Sequence, residues 1–291
     1  MLSRVVLPIM TTHFVPTKTR SAMEVVETER EWTTDERTAF ATFTDRITNL
    51  DVAAVNSSTD ELQQPSPQLL VSSPHTSNAA ASLEEVRDIY RETVMATNHY
   101  ADVYDDTLEE SIAQEFGPEV ATAVLTSDHL IPQLRDRLVE YSQQARESRR
   151  SFLQGLKSES SALETADEKL TRLGADLNRV VGTCSFDDWT DTELANVDER
   201  LHSRERECEQ LLVDRQAALG ERRAARTHHN DHEFNEYVYR SLSVTYPVVS
   251  DTTSLIDTLR TAQQSVERAL TNRELASDKE LSTAVLCEES D

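Results

Sequence analysis

The chain has 291 residues and a formal net charge of −24, because 53 Asp and Glu residues outnumber 29 Lys and Arg residues. It contains five glycines and eight prolines, and tight turns depend on these two residue types. Their scarcity argues against a many-stranded sandwich or barrel. Without a glycine cluster that could approach a phosphate, the sequence also argues against a Rossmann or P-loop enzyme.

The basic residues are nearly all arginine, since the chain has four lysines against 25 arginines. A large net charge repels itself in dilute buffer, whereas at molar salt the Debye length falls to ~3 Å and the repulsion is screened. We therefore expect a salt-loving, haloarchaeal cytoplasmic protein. An ordinary acidic mesophilic protein is the alternative interpretation.

Composition also limits the partners and the redox chemistry. The densest basic run (Arg222, Arg223 and Arg226) is short and carries no interleaved aromatic residues, so we expect no nucleic-acid partner. The three cysteines are widely spaced with no CxxC pair, which predicts reduced thiols and neither a disulfide framework nor a zinc site. No apolar run approaches the ~18 residues of a membrane span, so we expect no membrane association.

The N-terminal third is predicted to hold one helix between two irregular segments. Residues 1–20 are expected to form a disordered tail, and a helix is predicted over 21–50, where apolar residues recur at steps of three and four. Residues 51–81 contain three prolines among Ser, Asn and Gln, a composition typical of a flexible linker. The chain offers three possible start codons, at Met1, Met10 and Met23.

Residues 82–130 are predicted to form a small helical head. Ser82 and Glu85 fit a capping box for a first helix reaching about Asn98, and a second helix is expected to stop at Gly117. Within this segment, His99 near Asp106 has the residue types of an acid–base pair. A helix C-terminus at His99, followed by a helix capped by Asp106, explains the same residues structurally.

Residues 131–227 are predicted to form an antiparallel coiled-coil hairpin. Proline is absent from 133 to 246, and apolar residues alternate at steps of four and three in two arms joined by a turn at 182–185. A stutter at Leu156 interrupts the first arm. Ser148 and Glu159 are polar residues at seam positions, where such residues weaken a coil but can fix its register. Cys208 also lies on the seam, as expected of a small core residue.

The C-terminal segment is predicted to contain helices over 228–273 that pack at the base of the hairpin, followed by an acidic tail over 274–291. His228, His232 and Glu236 stand four residues apart, so on a helix they would share a face and could bind a metal. The spacing differs from HExxH, because His229 follows the first histidine where the motif requires glutamate. A polar helix junction is the alternative reading of this cluster.

Several short motifs are similar to those of one protein family. They are Tyr90-Arg91-Glu92-Thr93-Val94-Met95, His99-Tyr100, Tyr104, Glu115-Phe116-Gly117, Glu29-Arg30, Glu36-Arg37, Ala39-Phe40, Tyr239 and Tyr246-Pro247. With them the chain resembles haloarchaeal proteins of a domain-of-unknown-function family, which are acidic and rich in long helices. The resemblance implies a haloarchaeal origin. It implies no activity, cofactor or catalytic residue.

The sequence therefore predicts an all-α protein with a small helical head, a long antiparallel coiled-coil hairpin and flanking helices. No catalytic or cofactor-binding motif is recognised, so we expect a non-enzymatic scaffold or interaction module that contacts proteins, or itself, through helices. Two alternatives remain open. One is a metal-dependent enzyme using His228, His232 and Glu236, and the other is a nucleic-acid-associated coiled coil.

Dialysis from multimolar KCl into dilute buffer should unfold the protein, because the repulsion among its excess carboxylates is then no longer screened. We expect a loss of helical far-UV circular dichroism that is restored by returning the salt. A spectrum that is the same in both buffers would contradict the halophilic interpretation.

Overall fold

A computed structural model describes residues 13–52, 81–181, 189–225 and 231–288. Within these ranges the chain forms nine helices and no strand, which confirms the all-α prediction. The helices are α1 (Thr17–Thr48), α2 (Leu83–Thr93), α3 (Tyr100–Val103), α4 (Leu108–Phe116), α5 (Pro118–Thr126), α6 (Pro132–Val181), α7 (Asp191–Ala225), α8 (Asp231–Val238) and α9 (Pro247–Glu288). Searched over the same ranges, none of them combines the length and apolarity that crossing a bilayer requires.

The short helices end where local chemistry dictates. The Ser82 hydroxyl accepts a 3.2 Å hydrogen bond from the Glu85 amide at the start of α2. Thr107, rather than Asp106, caps α4 and forms a reciprocal capping box with Glu110, which satisfies amides that have no intrahelical partner. Gly117 separates α4 from α5 with a φ of 85°, a conformation that favours glycine.

Two compact units divide the described chain, and the division falls within both α1 and α6. We call Thr28–Lys157 the aromatic unit, and Met1–Glu27 with Ser158–Asp291 the bundle unit. The predicted turn at 182–185 and most of the predicted linker lie outside the described residues. Each unit has its own buried core.

The aromatic unit packs α2, α4 and α5 with the later part of α1 and the first part of α6. Its centre is a set of rings in which Phe43 and Phe116 stack at 5.8 Å between centroids, and Tyr90 meets both rings edge-on at 5.4 and 5.8 Å. Such offset and edge-to-face geometries are the favourable ones for aromatic pairs. Leu134 and Leu138, predicted as hairpin seam residues, are buried in this core.

In the bundle unit, ion pairs fix the direction of α7 relative to α6. In the direction of rising α6 numbers, these pairs include Lys169–Asp214 at 3.8 Å, Arg172–Glu207 at 2.9 Å and Asp176–Arg204 at 2.8 Å. Because the partner numbers fall as the α6 numbers rise, the two helices run antiparallel. The buried faces of both helices are mostly apolar, with Leu163, Leu170, Leu173, Leu194 and Leu201 at most 2% exposed.

Helix α9 lies along α7, whereas the sequence predicts C-terminal helices packed at the base. Arg260 and Gln263 donate hydrogen bonds to Glu205 at 2.6 and 3.0 Å, and Arg273 reaches Asp191 at 3.1 Å. Leu255, Leu259 and Val266 are completely buried. The apolar face of α9 is therefore long enough to follow α7 to its first turn.

The start of α1 is also part of the bundle unit, although the sequence predicts a tail up to residue 20. Residues 1–12 lie outside the described chain, but Phe14 donates its amide to Asn178 Oδ1 at 2.9 Å. The Thr19 amide, in the first turn of α1, donates to Asp251 Oδ2 at 2.7 Å. A carboxylate at this position stabilises a helix N-terminus by charge and by hydrogen bonding.

Replacing Asp251 with alanine should destabilise the protein by about 1–2 kcal/mol, since it leaves a buried amide of α1 without an acceptor. The matched control is Asp257→Ala, which removes an exposed carboxylate from the same helix and should change stability by less than about 0.5 kcal/mol. Denaturant unfolding in multimolar KCl measures both. Equal midpoints for the two variants would show that the cap contributes nothing.

Candidate functional site

The predicted metal residues are only partly described. His228 lies outside the described residues, His232 belongs to α8 with its side chain not described, and Glu236 is exposed on the same helix. Among the described residues, no three or more His, Cys, Asp or Glu side chains are grouped in a way that could hold a metal ion. The metal site at 228–236 therefore stays a prediction.

The aromatic unit contains a different polar site, which we call the Glu36 cluster. It consists of Glu36 on α1, His99 and Tyr104 flanking α3, Glu115 on α4 and Arg149 on α6. These five side chains come from four separate helical regions. Four of the motif residues behind the family resemblance lie in this cluster, and Phe40, Tyr90 and Phe116 are among those in the aromatic core beside it.

The Glu36 carboxylate is the centre of the cluster. Its Oε1 atom accepts from the Tyr104 hydroxyl at 2.7 Å and faces His99 Nε2 at 3.1 Å, while Oε2 accepts from Arg149 Nε at 3.1 Å. Since an ionised carboxylate only accepts, the facing nitrogen of His99 carries the proton. Both oxygens of Glu36 are thus engaged with neighbouring side chains.

Arg149 links this carboxylate to a second one. Its two terminal nitrogens donate to Glu115 at 2.9 and 2.5 Å, in the bidentate geometry that favours arginine over lysine. Its guanidinium also lies 4.8 Å from the Phe40 ring centroid. Burial lowers the pKa of Arg149, but the hydrogen bonds and charges of Glu115 and Glu36 outweigh it and raise the pKa above its ordinary value.

His99 is held by contacts on several sides, which differs from the predicted helix end. Helix α2 ends at Thr93, so His99 lies between α2 and α3 and not at the end of α2. Its ring stacks on the Trp32 ring, with 5.2 Å between the centroids and an interplanar angle of 17°. The side chain is 4% exposed. A buried histidine paired with a carboxylate has the ingredients of an acid–base pair, so access for a substrate decides whether the pair has a chemical role.

A cavity of about 30 Å³ lies beside the cluster, lined by Tyr100, Ser111, Glu36 and Arg149 among others. This volume holds one or two water molecules and no metabolite. The Tyr100 hydroxyl has no hydrogen-bond partner of normal geometry among the described residues. Burial raises the pKa of Tyr100, with a partly opposing contribution from the Ser111 hydroxyl. The geometry supports a structural polar network rather than a substrate site.

The bundle unit has a second buried charge pair. Arg215 of α7 binds the Glu159 carboxylate of α6 through both terminal nitrogens, at 3.2 and 2.5 Å, and the Tyr239 hydroxyl donates to the same carboxylate. Glu159 is fully buried and Arg215 is 7% exposed. Burial lowers the pKa of Arg215, but Glu159 outweighs it and raises the pKa. The seam spacing predicts Glu159 as a polar seam residue but does not identify its partner. An arginine at the same four-and-three spacing in the second arm, Arg215, is the signal that could have found it.

Cys208 is buried on α7, as the seam position predicts. Burial raises the pKa of its thiol to about 12, with a further contribution from neighbouring glutamates. A nucleophilic cysteine requires a lowered pKa and access to solvent. Cys208 is therefore an inert core residue.

Replacing Arg149 with methionine should destabilise the protein by about 3–5 kcal/mol, because two carboxylates then lie close together without a cation. The exposed neighbour Arg150→Met is the matched control, with an expected change below about 0.5 kcal/mol. Adding Glu36→Gln and Glu115→Gln to Arg149→Met should recover part of the loss, since no unpaired charge remains. Denaturant unfolding measures all three, and a triple variant no more stable than Arg149→Met would contradict the charge argument.

A model of the family described as a domain of unknown function, DUF7260, matches residues 17–263. No curated protein and no solved structure matches the chain. The match covers most of the chain, including every residue of the Glu36 cluster and the Glu159–Arg215 pair. The chain is a member of the DUF7260 family.

Proposed function

We propose that this protein is a non-enzymatic helical interaction module of the halophilic cytoplasm. The observation that carries the proposal is how its buried polar groups are used. Within the Glu36 cluster, and separately within the Glu159–Arg215 pair, the charged groups bind one another. The cavity beside the cluster holds only water-sized groups. The side chains that could bind a partner are therefore those on the surface.

The surface suits binding along helices. Helices α6, α7 and α9 contain 50, 35 and 42 residues, which corresponds to about 75, 52 and 63 Å at ~1.5 Å per residue. Each has exposed side chains along the faces opposite its buried stripe. Such faces are recognised by grooves and helices of other proteins.

The charge pattern supports the halophilic part of the proposal. Many exposed arginines of the described chain are paired with carboxylates, as in Arg20–Asp167, Arg172–Glu207 and Arg260–Glu205. Single exposed pairs contribute little, but together they reduce the repulsion within an acidic surface. The excess carboxylates that remain are tolerated when salt screens them.

The test is affinity capture of a partner from native-host lysate kept in multimolar KCl, quantified by mass spectrometry. We expect a partner at near-stoichiometric amounts with the tagged full-length chain and none with the tag alone. The Arg149→Met variant, destabilised in the aromatic unit, is a second control that separates folded-state binding from nonspecific adhesion. Repeated capture of no protein above the tag control would contradict the interaction role.

A further inference from the structure

A surface groove lies between α1 and α6 in the aromatic unit. It has a volume of about 550 Å³ and is lined by Arg37 and Ala41 of α1 and by Gln143, Arg146, Glu147 and Arg150 of α6, among others. The α6 residues are spaced three, four and seven apart, so they share one helix face. We call this surface the arginine groove.

The cations of the arginine groove are poorly compensated. Within the described chain, Arg37 and Arg146 have no hydrogen-bond or ion-pair partner, although Arg146 is half-buried. Arg150 lies 3.5 Å from Glu147 and both side chains are mostly exposed, so this contact is weak. In a chain with 53 acidic side chains and 29 basic ones, three arginines around one groove with a single lining carboxylate form a local reversal of charge.

We propose that the arginine groove binds an acidic α-helix of a partner protein, with carboxylates meeting Arg37, Arg146 and Arg150. The inference rests on the interaction role proposed above and specifies its partner. Guanidinium groups bind carboxylates bidentately, and these directional hydrogen bonds persist where salt screens longer-range attraction. The small side chain of Ala41 leaves room for a third helix to approach the two that form the walls.

A protein helix fits this groove better than a nucleic-acid backbone. Phosphate recognition needs an uninterrupted basic surface, with several contacts that release counterions. Here Glu147 stands among Arg37, Arg146 and Arg150 and interrupts the basic surface. A helix can carry glutamates four residues apart to meet the arginines, and one basic residue to meet Glu147. It therefore complements both the positive and the negative side chains of the lining.

The probe is a fluorescein-labelled, alanine-based helical peptide of about 20 residues with glutamates four residues apart and one lysine. Binding to the full chain is followed by fluorescence anisotropy in multimolar KCl. We expect a dissociation constant of about 0.1–1 mM, since exposed ion pairs are individually weak, and a loss of about tenfold or more in affinity for the Arg37→Gln/Arg146→Gln/Arg150→Gln variant. Circular dichroism confirms that this variant is folded.

The matched control is Arg137→Gln/Arg200→Gln/Arg268→Gln. These three arginines are exposed, have no partner within the described chain and lie outside the groove lining, so the control makes the same change in net charge. It should bind the peptide as the unmodified chain does. Equal weakening in both variants would reduce the effect to net charge and overturn the proposal.

Two other results would overturn it as well. One is no binding of the glutamate peptide to the unmodified chain at millimolar concentration, and the other is tighter binding of a single-stranded DNA oligonucleotide of similar charge. Capture from native-host lysate tests this inference separately from the interaction role proposed above. A groove variant that still captures the native partner refutes the groove and leaves the interaction role standing, whereas a bait without any partner refutes the role itself.

Discussion

Each unit holds an arginine that is largely shielded from solvent and hydrogen-bonded to carboxylate oxygens from other helices. In the aromatic unit Arg149 joins Glu36 and Glu115, and in the bundle unit Arg215 joins Glu159. Charges removed from water are tolerable only with close, well-oriented partners. Each arginine therefore requires its carboxylate partners within hydrogen-bond distance, which restricts the register of the helices that carry them, while the surrounding apolar residues supply the driving force.

The helices follow from local sequence, but the pairings do not. Periodic apolar residues predict α1, α6, α7 and the core of α9, and Gly117 followed by Pro118 predicts the break between α4 and α5. Glu36 meets His99 and Arg149 across 63 and 113 residues, and no spacing rule reaches that far. The sequence predicts a tail up to residue 20 and not the helix start at Thr17. The carboxylate that accepts from Thr19 in this first turn is Asp251, which lies 232 residues further along the chain.

The interior and the surface respond differently to salt. Pairs such as Glu159–Arg215 exclude solvent, so ions in solution screen them little. Exposed carboxylates repel one another more strongly as the salt concentration falls, and the proposed salt requirement rests on this repulsion. The arginine groove is accessible to solvent, but the contacts proposed for it are directional hydrogen bonds, which salt weakens less than longer-range attraction.

Residues 81–83 form backbone hydrogen bonds with residues that precede and follow them along the chain. The Ala81 amide donates to the Asp51 carbonyl at 2.9 Å, and backbone bonds at 3.0 and 3.1 Å join Leu83 to Asp128 and Leu130 to Ala81. The bond from Ala81 to Asp51 thus joins the residues at the two ends of segment 53–80 directly. Because doubling the length of a flexible loop costs only ~0.6 kcal/mol, we expect a reporter domain inserted between Asp51 and Ala81 to leave the core of the aromatic unit intact.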